Sequence, residues 1–67
     1  MQVLQVNGMY FLLQEPVLLE AFLEQQKYDR NRIVVELNGK IVSKAAYAET
    51  VLTGQATLEI VTFVGGG

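Results

Sequence analysis

The chain has 67 residues, enough for one small domain, and a domain of this size buries only about 60% of the surface its unfolded form exposes, so its core must be efficiently filled. Hydrophobic residues make up 51% and charged residues 18%, which argues against a disordered acidic tail, and the lack of cysteine excludes a disulfide-held secreted mini-protein. Histidine is absent too, so the commonest general base, the strongest side-chain nucleophile and both good zinc ligands are missing and an independent enzyme is not expected; a net charge of −2 with five scattered basic residues does not make a nucleic-acid stripe.

Met1 to Val6 alternates loosely between polar and apolar residues, with Leu4 and Val6 on one face and Gln5 on the other, the period of a half-buried strand. Asn7-Gly8 supplies the positive φ angles of a type I′ turn, and Met9 to Leu13 returns antiparallel as an all-apolar strand whose facing the pattern leaves open. Pro16 suits the first turn of a helix, where a missing N–H costs nothing. From Val17 to Lys27, Leu18, Leu19, Phe22 and Leu23 form one apolar stripe with Glu20, Glu24 and Lys27 off it, which predicts an amphipathic helix covering a sheet. Glu15, Glu20, Glu24 and Asp29 are then a solvated face rather than a carboxylate site for metal or acid–base chemistry.

Tyr28 to Arg32 is a polar connection, and Ile33 to Leu37, the most β-branched run, is a third strand. A second Asn-Gly pair, Asn38-Gly39, turns it into the short strand Lys40 to Val42. Ser43 to Thr50 is alanine-rich and reads as one or two helical turns with Ser43 as N-cap, Val51 and Leu52 pin its far end to the core, and Thr53-Gly54-Gln55 turns into the last strand. In that strand, Thr57 to Val64, Leu58 and Ile60 share one face and Glu59, Val61 and Phe63 the other. If Leu58 and Ile60 face the helix, Val61 and Phe63 face out as a docking surface; the alternative is that the segment at 45–50 covers them, or that they are scattered surface apolar residues.

Three of the six glycines are Gly65, Gly66 and Gly67, placed where they end no helix and turn no hairpin. Such a tail lacks side chains that clash, fits an extended path through a narrow channel, and offers one chemical group, the α-carboxylate. The structural alternative is a frayed end or a linker remnant. Met1 to Gln5 has no basic leader region and polar residues interrupt every apolar run well short of a membrane span, so the expected compartment is the cytoplasm. Strand, strand, helix, strand, short strand and final strand make an α+β domain, one sheet with one face covered. If the first and last strands pair as parallel neighbours at its centre, the tail leaves from the middle of the sheet.

Val6-Asn7-Gly8, Leu37-Asn38-Gly39-Lys40-Ile41-Val42, and Leu58-Glu59-Ile60-Val61 running to Val64-Gly65-Gly66-Gly67 together resemble the ubiquitin-like β-grasp sulfur carriers, most closely the ThiS family of thiamine biosynthesis, over essentially the whole chain. That family usually carries Pro-Arg after the middle motif and Gly-Asp before the last strand, where Ser43-Lys44 and Gly54-Gln55 stand here. The resemblance implies a β-grasp domain over residues 1–64, with one mixed sheet packed on one main helix, and a flexible glycine tail at 65–67. It implies no cofactor bound by the chain itself. A ThiF-like adenylyltransferase would use ATP to join AMP to Gly67, sulfur from a cysteine desulfurase relay would displace AMP to leave a thiocarboxylate, and a thiazole synthase would receive the sulfur. Gly65 and Gly66 would thread partner channels, with Val61, Phe63 and Val64 docking beside them. The nearest alternative of the same fold is the small subunit of molybdopterin synthase, usually a longer chain; a ubiquitin-like modifier or plain interaction module is the alternative from another class.

Overall fold

The computed structural model describes residues 2–64. In chain order the strands are β1 (Gln2–Val6), β2 (Met9–Leu13) and the two-residue β3 (Val17–Leu18), then helix α1 (Leu19–Gln25), then β4 (Ile33–Leu37), β5 (Lys40–Val42), β6 (Val51–Leu52) and β7 (Thr57–Thr62). Two of the connections follow directly from composition. Asn7 and Gly8 sit at φ 49° and 83°, and Asn38 and Gly39 at 52° and 85°, so both Asn-Gly pairs turn two-residue hairpins whose backbone twist matches the right-handed twist of the strands they join.

Those hairpins flank β7. The main sheet has the order β2-β1-β7-β4-β5, with β7 parallel to β1 and antiparallel to β4. The first and last strands are therefore parallel neighbours, the condition under which the chain leaves β7 from the middle of the sheet. Leu58 and Ile60 point inward with Leu4 and Val6 of β1 and Ile33 and Val35 of β4, and α1 covers them with Leu19, Phe22 and Leu23. Phe22 meets the ring of Phe11 edge-on, centroids 5.5 Å apart at 81°. One mixed sheet on one main helix is the β-grasp arrangement that the resemblance implies.

The helix is shorter than its apolar stripe. Val17 and Leu18 do not open it with Pro16 in the first turn; they form β3 and pair with β6, Val17 opposite Leu52 and Leu18 opposite Val51. Leu18 is consequently exposed rather than part of the buried stripe. The helix then begins without a side-chain cap, and distant carbonyls replace one: Leu19 N–H donates to Thr50 at 2.8 Å and Glu20 N–H to Tyr47 at 3.2 Å. At the other end the helix stops before Lys27, which takes the left-handed conformation (φ 65°). Lys27 N–H reaches the Glu24 carbonyl and Tyr28 N–H the Leu23 carbonyl, the pair of bonds that closes a Schellman end.

The segment expected as one or two helical turns is a single tight turn, Lys44–Ala46. Ser43 stands at its cap position but its side chain makes no capping bond. Tyr47, just beyond, is one of the largest fully buried side chains of the protein, and with Leu52 it closes the core under α1. The last strand ends at Thr62 rather than Val64, because β4 begins at Ile33, the partner of Thr62, and offers no further strand to pair with.

Candidate functional site

The site predicted from sequence lies at the end of β7, and two asparagines fix where that end points. Asn38 N–H donates to the Thr57 carbonyl at 2.8 Å while its side-chain oxygen accepts from Thr57 N–H at 2.9 Å, holding the start of the strand. Asn7 does the same further along: its side-chain oxygen accepts from Ile60 N–H at 2.7 Å and its amide donates to the Ile60 carbonyl at 3.1 Å. β1 has by then turned away, so the Asn7 amide stands in for the backbone of the missing neighbour. Each asparagine both accepts the positive φ of its turn and clamps the last strand. Aspartate would offer the acceptor without the amide donor, and glycine the conformation without either.

Past the strand, Phe63 N–H still donates to the Arg32 carbonyl at 3.0 Å. Val64 is the last described residue and is 96% exposed. Gly65, Gly66 and Gly67, the predicted threading and attachment positions, lie outside the described residues, as does the predicted tail at 65–67.

Val61 is 61% and Phe63 41% exposed, so the segment around Ala45 does not cover them. Val61 stands opposite Val34 of β4, itself exposed, and on the same face Glu59 stands opposite Glu36, which is opposite Ile41 of β5. The outer face beside the strand end is therefore an apolar patch of Val34, Val61 and Phe63 bordered by two carboxylates. Sequence reasoning missed Val34 and Ile41. Both carry a period-2 signal, an apolar residue at an outward position, but only the strand register places Val34 beside Val61 and Ile41 across Glu36.

On the helix side the polar contacts serve packing. Arg30 forms an ion pair with Glu20 at 2.9 Å, donates to the Lys44 carbonyl at 3.3 Å and lies 5.4 Å from the Tyr47 ring centroid, tying the connection after α1 to the turn before β6. Burial pushes the Tyr47 phenol pKa up, and the Arg30 charge partly opposes that shift. The cleft beside them, lined by Leu23, Tyr28 and the Glu20 and Glu24 carboxylates among others, holds about 50 Å³, against about 300 Å³ or more for a small-molecule site. A more open groove of about 470 Å³ runs beside Gln2, Val3, Thr53, Gly54 and Gln55, none of them ionisable. Gly54 is required there: its N–H donates to the Gln2 side chain at 2.7 Å, and a Cβ would lie 2.6 Å from Gln2 Cβ. Among the described residues no group of three or more metal-ligating side chains occurs, and no helix is long and apolar enough to cross a membrane.

Comparison with known proteins bears on the whole arrangement. The ThiS family model matches residues 3–67. A crystal structure of a thiamine biosynthesis protein (ThiS) from Geobacter metallireducens superposes with a TM-score of 0.83 at 28% identity, covering 98% of this chain and 100% of that one. The uncharacterized protein ycf40 of Pyropia yezoensis is 34% identical over 64 residues, 96% of this chain and 90% of its own length. A thiazole synthase of Paramagnetospirillum magneticum is 36% identical over 64 residues, and there the similarity covers only 20% of the longer protein.

Proposed function

The chain belongs to the ThiS family, small sulfur carriers of thiamine biosynthesis, and from that premise we propose that its own cargo is a sulfur atom held as a thiocarboxylate on Gly67. A carboxylate with a reference pKa of about 3.3–3.7 is ionised at neutral pH and resists nucleophiles, so it needs activation. A ThiF-like adenylyltransferase supplies it: the Gly67 carboxylate attacks the α-phosphorus of ATP, pyrophosphate leaves, and an acyl-adenylate forms. The terminal sulfur of a persulfide on a cysteine desulfurase relay attacks the acyl carbon and AMP leaves; a thiol then reduces the S–S bond of the resulting acyl disulfide, and the thiocarboxylate that remains is consumed by a thiazole synthase.

The observation that carries this reading is the placement of β7. A strand held on both sides and clamped at Thr57 and Ile60 gives the following residues a fixed origin, and the exposed Val61, Phe63 and Val64 stand beside that origin. Folded body and glycine tail then divide the work. Residues 1–64 are the recognition domain, and Gly65 and Gly66 pass through the partner's channel without a side chain to fill it. The thiazole synthase with a segment resembling this chain over a fifth of its length supports that enzyme class as the receiver, since there carrier-like and synthase sequences share one polypeptide. The chain itself lowers no barrier in this scheme. It presents an atom.

Intact-mass analysis of the protein from cells grown without thiamine tests the proposal. A terminus at Gly67 with one oxygen replaced by sulfur is expected; isopeptide-linked adducts would make the protein a modifier instead, and an unmodified terminus under sulfur demand would reject the carrier reading. Gly66→Val should block adenylation while leaving the fold intact, and full adenylation of that variant would remove the threading argument.

A further inference from the structure

The two edges of the main sheet differ. β5 is three residues long and carries Lys40, the kind of short, charged edge that resists pairing with another chain. β2 is five residues long, Met-Tyr-Phe-Leu-Leu, with no charge and no proline. Its backbone register decides what it offers. Gln5 N–H donates to Ala56 and Asn7 N–H to Leu58, while the Val3 carbonyl accepts from Gln55 N–H, so the odd-numbered residues of β1 face β7. The even-numbered ones, Gln2, Leu4 and Val6, therefore face β2, opposite Leu13, Phe11 and Met9. That leaves the N–H and C=O of Tyr10 and Leu12 directed away from the sheet, along an edge that no other strand flanks among the described residues. Both side chains lie on the outer face, 72% and 65% exposed.

We propose that β2 is a self-pairing edge through which two copies of this chain associate antiparallel, centred on Phe11. In that register Tyr10 of one copy lies opposite Leu12 of the other. Tyr10 N–H donates to the Leu12 carbonyl of the second copy, Leu12 N–H of that copy donates back to the Tyr10 carbonyl, and the two-fold axis repeats the exchange. The two residues with outward hydrogen-bonding groups are also the two that β2 exposes on the outer face, so backbone pairing and the Tyr10–Leu12 side-chain contact form together. A second copy fits better than an unrelated strand because the edge is its own complement: apolar opposite apolar, donor opposite acceptor, with no charge to repel itself. A two-fold perpendicular to the sheet keeps both outer faces on one side, so the joined sheet presents the Val34, Val61 and Phe63 patches of both copies together. A five-residue edge covers less than the about 800 Å² per partner of a stable complex, so the association is reversible and is populated at roughly 0.1–1 mM.

Sedimentation equilibrium of the full chain up to about 1 mM, with amide hydrogen exchange at the two ends of that range, tests the inference. A monomer–dimer equilibrium is expected, with exchange of the Tyr10 and Leu12 amides slowing as concentration rises. Leu12→Lys and, independently, Tyr10→Lys should shift it to monomer with circular dichroism unchanged, whereas Ile41→Lys on the opposite edge should not. A monomer throughout the range, or association that survives both β2 variants or is lost with Ile41→Lys, overturns it. The sulfur-carrier reading is untouched by either result, because its readout is the mass of the terminus.

Discussion

The two faces of β7 carry residues of the same kind to opposite ends. Leu58 and Ile60 are buried under α1, and Val61 and Phe63, one to five positions further along, stand in solvent. On the inner face an apolar side chain is surrounded by packed neighbours and stabilises the fold. On the outer face Val34, Val61 and Phe63 are exposed, and two carboxylates, Glu36 and Glu59, face one another across the strands with no cation paired to either among the described residues. Like charges directly opposite are mildly destabilising. The inner face is thus organised for stability and the outer one for something other than stability.

The sharpest separation comes from the core. Phe22→Ala removes a buried ring from between α1 and Phe11 and is expected to cost about 3–5 kcal/mol. A core of this size rarely supplies more than about 3–5 kcal/mol in total, so urea titration should find the variant largely unfolded without denaturant. A well-folded Phe22→Ala protein would mean that the helix side is not where stability resides.

Asn7→Ala is next. It leaves the part-buried Ile60 N–H and carbonyl without their side-chain partner and puts at φ 49° an alanine, which lacks the short polar side chain that lets asparagine tolerate that conformation, with an expected loss of about 1–3 kcal/mol. Asn7→Gly separates the two causes, since glycine keeps the turn and loses the clamp. If the clamp matters to position, the Ile60 amide exchanges faster in Asn7→Gly while amides of the β4–β5 hairpin do not change.

How much of this was legible beforehand depends on how far along the chain the cause lies. The Asn-Gly turns and the division of β7 into one face with Leu58 and Ile60 and another with Val61 and Phe63 are set by local conformation and a period of two, whereas which face meets the helix is decided only by the packing. Val17 and Leu18 look helical by spacing, yet a strand more than thirty residues away claims them, and the carbonyls of Tyr47 and Thr50 replace the cap that the sequence lacks. Tyr47 itself sits in an alanine-rich, turn-like run that gives no periodic sign of burial. The site was half legible in the same sense. Its apolar residues on β7 follow from alternation, but the company of Val34, and the second use of Asn7 and Asn38 as clamps, exist only once the register is known.

Tyr47 tests the helix side in a gentler way. Burial raises its pKa in the folded protein above the ordinary value of 10.0, with Arg30 partly opposing. Between the unfolded and folded pKa values the folded state holds the proton more firmly than the unfolded one, so stability is complete below pH 10 and falls as pH rises through the folded pKa. Tyr47→Phe keeps the ring and loses the titrating group. Its stability, followed by urea titration from neutral to strongly alkaline pH, should decline less steeply above pH 10 than that of the parent; parallel curves would show that Tyr47 ionises as freely folded as unfolded.

The smallest effect on stability is expected where the effect on binding is largest. Phe63→Ala and Val61→Ala alter exposed positions at and just beyond the end of β7, and each should change unfolding free energy by no more than about 0.5 kcal/mol. If the outer face is the docking surface, the same variants should bind the adenylating enzyme proposed as the partner at least about fivefold more weakly, as truncation of a contributing interface residue does. A variant that weakens binding only by unfolding would lose both together, so the pair of measurements distinguishes recognition from stability. Unchanged affinity in both variants would remove Val61 and Phe63 from the interface and leave recognition to the strand end alone. Glu36→Gln sharpens the point further: relieving the carboxylate pair should stabilise the domain slightly, and weaker binding despite that gain would show that the outer face is tuned against its own stability.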